Sequence, residues 1–206
     1  MTQFAEVRHE EWIAAAVPRV RAQFADLQHH IDTKVHPKLE FRILPPDAGG
    51  RGAGPGAAGA VAAVAAVAAV DAVAADGAPV AARYEQRVRL LGITQRDVFE
   101  RRFTADGGMV DTSVEGFNRG GSLRFGFEPE RRDGAEGTLV HITIRLPLPP
   151  LVGPLLRPLL EAQVRKEVAA AAAEDKHDIE VRGYRPASVR DTAAQASGAA
   201  PWGLVA

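Results

Sequence analysis

At 206 residues with 46% hydrophobic content, the chain can bury one sizeable core, and one domain is expected rather than two. Its 25 basic and 26 acidic residues leave a formal net charge of -1, so no global field points to a nucleic acid or an anionic membrane surface. The absence of cysteine excludes disulfides, thiolate catalysis and zinc–thiolate sites together, and it fits a cytoplasmic protein.

The opening residues MTQFAEVRHEEW carry Glu and His where an export signal would place a basic patch and an apolar core, so no export is indicated. Phe4 to Ile13 reads as a strand with imperfect alternation. Pro18 then stands where a first helical residue belongs, and Val17, Val20, Phe24, Leu27 and Ile31 follow at spacings of three and four. That spacing predicts one amphipathic helix ending by Pro37. Leu39 to Leu44 alternates as a second strand, stopped by Pro45 and Pro46.

Residues 47–80 are Gly- and Ala-rich, then AVAAVAAVAAV. Valine at every third position drifts about −60° per step around a helix and makes no stable stripe, so a flexible or weakly helical insertion is expected. The uncharged run from Gly52 to Val70 lacks Leu, Ile and Phe and contains Pro55, so no integral membrane segment is expected. The chain resumes with ARYEQRVRLLG, where Tyr84, Gln86, Val88 and Leu90 oppose Arg83, Glu85, Arg87 and Arg89 as in a half-buried strand. TQRDVFERRF, GMVDTSVEGF, GSLRFGF and GTLVHITIRL follow as short strands. Turns at Asp106-Gly107-Gly108, Gly120-Gly121 and Asp133-Gly134 separate them, which predicts an antiparallel meander. The doublets Arg101-Arg102 and Arg131-Arg132 are expected at solvated strand and turn positions.

Val152, Leu155, Leu156, Leu159, Leu160, Val164, Val168, Ala171 and Ala172 recur at helical intervals and predict one long helix with a wide apolar face. A start near Leu155 would put Pro158 in the first turn, where its missing N–H is harmless. Residues 187–206, rich in Ala, Ser and Gly, are expected to form a loose tail.

The stretch Ile13 to Val20, IAAAVPRV, followed by Phe24 and Asp26, is similar to the strand-end, proline, helix and Phe-x-Asp opening of the START-like superfamily, also called SRPBCC or Bet v 1-like. The terminal Leu-rich helix strengthens the resemblance, which covers about residues 4–186 less the insertion. It implies an α+β helix-grip fold, a curved antiparallel sheet wrapped around a long C-terminal helix. It also implies a deep cavity for a lipid, a quinone or a polyketide-like molecule. Within such proteins the function is either binding of a hydrophobic small molecule or, as an alternative, a polyketide aromatase/cyclase-like activity. An interaction role through a sheet edge or the insertion is a third class.

Alternation by itself places Tyr84, Val88, Phe99, Phe103, Phe125, Phe127, Val140, Ile142 and Ile144 on the apolar face, with Leu156, Leu160 and Gln163 opposite. Tyr84, Gln86 and Gln163 are the polar anchors expected in a pocket with few of them. Alternation reports burial, so a filled core accounts for it as well as an open pocket does. On a continuous helix His29, Asp32 and His36 would share a face, and two imidazoles with a carboxylate can bind metal. Pro37 puts His36 at the helix end, however, so a polar helix end near a cavity mouth is expected, with no metal and no cofactor. No Gly-x-Ser-x-Gly elbow exists, and no local Ser, His and acid set suggests a nucleophile.

Overall fold

The computed structural model describes residues 3–45, 80–90, 92–148 and 153–186. The expected insertion, apart from Val80, and the expected tail lie outside the described residues.

Strand β1 (Phe4–Ile13) is followed by helices α1 (Val17–Ala25) and α2 (Leu27–Thr33), then by β2 (Leu39–Leu44) and β3 (Ala82–Leu90). The chain continues through β4 (Ile93–Phe103), β5 (Met109–Gly116), β6 (Ser122–Arg132) and β7 (Ala135–Pro147) to the long helix α3 (Gly153–Glu180). Among the described residues the seven strands form one antiparallel sheet in the order β1-β7-β6-β5-β4-β3-β2. β2 to β7 are a meander, and β1 crosses over to pair with β7 along its whole length, from Phe4 opposite Pro147 to Ile13 opposite Thr138. The sheet curves around α3 as the helix-grip architecture requires.

Three local expectations are corrected. The first helical stretch is two helices, broken at Asp26, whose backbone (φ -83, ψ 74) leaves the helix while its carboxylate accepts a 2.9 Å bond from the His29 N–H. That bond caps α2, so the same residue ends one helix and starts the next. Lys34 closes α2 in a left-handed conformation (φ 50), and His36 is therefore not on the helix at all.

Secondly, α3 begins at Gly153, so Pro158 lies beyond the first turn. Its missing N–H falls in a stretch where Leu155, Leu156 and Leu159 are exposed, so water can solvate the carbonyl left over. Burial on α3 begins with Val164 and continues through Val168, Ala172, Asp175 and Ile179. The leucines overhang the sheet rather than grip it.

Thirdly, Arg101 is 5% exposed rather than solvated, although Arg131 and Arg132 do lie at the exposed β6–β7 turn. Among the described residues, no helix is long and apolar enough to cross a membrane.

Candidate functional site

Among the described residues, two apolar clusters build the interior. The larger joins Val7, Ile13, Val20, Phe24, Met109, Val140, Ile142, Val164, Val168 and Ile179; the smaller joins Leu27, Tyr84 and Phe99, with Phe41 and Leu123 packed against it. A cavity of about 200 Å³ separates them, walled by Phe24, Phe125, Ile142, Val164 and Val168 on one side and by Leu27, Phe41, Tyr84, Phe99 and Leu123 on the other. One water needs roughly 10–15 Å³, so this space is a chamber and not a packing defect. Its openness has a sequence cause. Where α3 passes over it, three of its lining residues are Ala170, Ala171 and Ala172, which carry one side-chain carbon each.

Charged and polar groups gather at three places on the wall. In the first, Arg101 of β4 faces its register partner Asp111 of β5. The guanidinium donates from Nε to Oδ1 and from Nη2 to Oδ2, both at 2.7 Å, and from Nη1 to the Phe24 carbonyl at 2.8 Å. The Tyr84 hydroxyl donates to Asp111 Oδ2 at 2.8 Å. A bidentate, buried pair of this kind is geometrically saturated. Burial, aided by the neighbouring Asp111 carboxylate, raises the Tyr84 phenol well above its ordinary range. Burial alone would lower the Arg101 pKa, but the Asp111 carboxylate outweighs it and the net shift is upward. Tyr84 is therefore a neutral donor at physiological pH and no base.

The second place is the β4–β5 end. Asp97 accepts bonds from the Asn118 N–H at 2.6 Å, from Asn118 Nδ2 at 2.8 Å and from the Ser113 hydroxyl at 3.2 Å, while Asn118 Nδ2 also reaches Gln95 Oε1 at 3.1 Å. Gly116 permits this turn, because with φ +109 any Cβ there would stand 2.1 Å from the Arg96 carbonyl.

The third place joins α2, the segment after it and α3. His30 Nε2 and His36 Nε2 lie 3.2 and 3.3 Å from the same Asp175 oxygen, Oδ1, and all three residues line the chamber. Burial alone would lower the His36 pKa, but Asp175, and after it Glu174, outweigh that and raise it to about 9. The Asp175 carboxyl is held below its ordinary range: burial opposes this, and His36 and His30 overcome it. Behind this group His29 Nε2 meets Asp178 Oδ2 at 2.8 Å, and buried Gln23 donates to both Asp175 and Asp178. The helical face predicted to unite His29, Asp32 and His36 is thus dispersed, since Asp32 instead accepts from Gln28.

Of the predicted cavity residues, Tyr84, Gln86, Val88, Phe99 and Phe125 line the chamber. The Gln86 side-chain amide makes no hydrogen bond among the described residues. Phe127 is not on the wall; its ring packs edge-on against Phe24, with centroids 5.6 Å apart. Leu160 packs into the larger core cluster, Leu156 is 43% exposed, and Gln163 donates to Glu167 at 2.8 Å. Leu156 and Gln163 precede the inward stripe of α3, and Leu160 opens it one turn before the first buried position, Val164, without reaching the chamber wall. The residues missed were Phe41, Arg101, Asp111, Asp97 and Asp175, while His30, with His29 and His36, was expected only as part of a polar helix end near a cavity mouth. A signal existed for two of them, because Arg101 alternates in phase with Phe99 and Phe103, and Asp111 with Met109 and Ser113.

No protein-family model and no curated protein matches the chain. Among solved structures, a Thermus thermophilus protein aligns with TM-score 0.58 at 18% identity over 87% of this chain and 99% of its own. The aromatase/cyclase ZhuI from a Streptomyces species aligns with TM-score 0.54 at 15% identity, covering 89% of this chain and 100% of that one. A START superfamily protein from Mycobacterium smegmatis aligns with TM-score 0.53 at 15% identity, covering 81% and 92%. The architecture is that of the START-like, or SRPBCC, helix-grip fold. The sequence motifs had pointed to the same fold.

Proposed function

We propose that this chain binds a hydrophobic small molecule, of lipid, quinone or polyketide type, in the chamber between its two core clusters. The observation that carries this reading is the chamber itself: about 200 Å³, walled mainly by aromatic and aliphatic side chains and roofed by alanines. Apolar walls with few oriented polar groups are the usual build of small-molecule sites. The Gln86 amide, which has no protein partner among the described residues, supplies an anchor for a carbonyl or hydroxyl group. Native mass spectrometry with organic extraction, followed by titration with fluorescent apolar probes, tests it. A copurifying apolar mass or saturable 1:1 probe binding is expected, and an empty protein that binds no probe overturns the proposal.

An aromatase/cyclase-like enzyme is the second reading, favoured by the imidazoles of His30 and His36 on the chamber wall. An imidazole on the wall can hand on a proton, whereas Tyr84, with its raised pKa, cannot serve as a base. Turnover of a poly-β-ketone substrate mimic that disappears in His30→Gln would move the weight to this reading.

A further inference from the structure

The two histidines of the α2–α3 group are oriented by acceptors that leave no freedom of tautomer. His30 Nδ1 lies 2.8 Å from the Asp26 carbonyl oxygen, and His36 Nδ1 lies 3.0 Å from Glu174 Oε2. A carbonyl and a carboxylate only accept, so both Nδ1 atoms carry hydrogen and each neutral ring presents its lone pair at Nε2. Both lone pairs are aimed at Asp175 Oδ1, itself an acceptor, at 3.2 and 3.3 Å. Gln23 Nε2 stands 3.5 Å from His30 Nε2 but is committed to Asp175 at 3.0 Å and Asp178 at 3.3 Å. Three acceptors converging in a buried site need positive charge among them. Two protons supply it, and so does one divalent ion.

We propose that His30, His36 and Asp175 form a binding site for one divalent transition-metal ion, Zn²⁺ or a chemically similar ion such as Co²⁺ or Fe²⁺. Their donor atoms lie within 4.8 Å of one another. Bonds of about 2.1 Å to an imidazole nitrogen and a carboxylate oxygen 3.2 to 3.3 Å apart subtend roughly 100° for each of the two nitrogen–oxygen pairs. Two imidazoles with one carboxylate suit this class of ion, whereas Mg²⁺ and Ca²⁺ prefer all-oxygen sets. The Asp26 carbonyl and Glu174 are the outer partners that such ligating histidines normally have.

Three protein donors leave at least one coordination position, and the chamber runs past all three residues. An oxygen atom of a molecule in the chamber can fill that position. The site stands independently of the apolar-ligand reading, because its geometry comes from the histidines and the aspartate alone.

The full chain without a histidine tag, stripped by chelator, is titrated with Zn²⁺ by calorimetry and with Co²⁺ by visible absorption. One saturable equivalent is expected. His36→Gln and Asp175→Asn each should weaken it at least 100-fold, Glu174→Gln roughly 10- to 100-fold, and His29→Gln should leave it unchanged. Zn²⁺ should also raise the melting temperature of the wild type but not of His36→Gln. Should a ligand variant fail to fold, X-ray absorption on the wild-type zinc complex decides, with two imidazoles and an oxygen expected. Absence of saturable binding, full affinity retained in His36→Gln and Asp175→Asn, or a zinc shell without imidazole overturns the proposal.

Discussion

Two of the three buried polar groups described on the chamber wall are built in opposite ways. On the sheet side, each oxygen of Asp111 accepts from Arg101, Tyr84 adds a third donor, and the Phe24 carbonyl takes a further guanidinium N–H. Donors meet acceptors there, and nothing is left to bind. On the helix side, two imidazole lone pairs face one carboxylate oxygen, and charge balance depends on what cations occupy the gap. A saturated cluster holds β3, β4, β5 and α1 together, whereas an unsaturated one is poised to take up protons or a metal. Burial alone does not separate structural from functional ionic groups; the match of donors to acceptors does.

The sharpest way to break this contrast is to remove one partner from the saturated cluster. Arg101→Leu leaves the Asp111 charge buried and unpaired, and a loss of about 3–5 kcal/mol is expected in urea unfolding. A loss below about 1 kcal/mol would show that water or a proton replaces Arg101 easily, and the two clusters would then not differ.

The helix side should instead respond to pH. In metal-free protein, His36 titrates near 6.5 when unfolded and about 9 when folded. The folded state binds more protons over that interval, so its contribution is complete below pH 6.5 and is lost as pH rises to about 9. Asp175, lowered from 3.8, contributes above that value and loses its contribution as pH falls through its depressed pKa. His36→Gln should flatten the alkaline decline measured by unfolding between pH 6 and 10. An unchanged slope would mean that the decline arises elsewhere.

Ala171→Phe places a ring in the chamber from the helix between the two clusters. Apolar probe binding should fall at least tenfold, while stability shifts by about 1–3 kcal/mol in either direction as filling competes with strain. Retained probe binding would put the ligand elsewhere. The smallest effect is expected from Asp26→Ala, which removes the cap of α2 and a contact to the Tyr184 hydroxyl at 3.1 Å but keeps the backbone carbonyl that orients His30. About 1 kcal/mol should be lost, read by thermal unfolding.

The fold was legible because its signals are local. Period-two alternation from Tyr84 to Ile144, Gly-marked turns and a long terminal helix are set by neighbours in sequence, and they define a meander covered by one helix. Part of the chamber wall was legible for the same reason, since Tyr84, Gln86, Val88, Phe99 and Phe125 line it by strand parity. Arg101 and Asp111 obey that parity too, but an arginine is so often solvated that its phase was overruled by its chemistry. Their pairing across β4 and β5 is what makes an inward arginine tolerable, and pairing is a property of register.

On α3 the sequence determined a long helix with an apolar stripe, but where the stripe meets the sheet depended on docking. Leu156 and Gln163 precede the contact and Leu160 is partly buried at its start, while Val164, Val168, Ala172, Asp175 and Ile179 make it. An aspartate on a buried stripe, at three and four residues from Ala172 and Ile179, is in hindsight a local sign of a buried partner. The identity of that partner was not local: His30 and His36 lie 145 and 139 positions away along the chain. The sequence by itself therefore determined the strands, the long terminal helix, their order and the fold class, because helix and strand periodicity act over a few residues. Only the tertiary structure decided that a chamber stays open under three alanines and that two histidines converge on Asp175. Volume and convergent lone pairs arise only when distant segments are brought together.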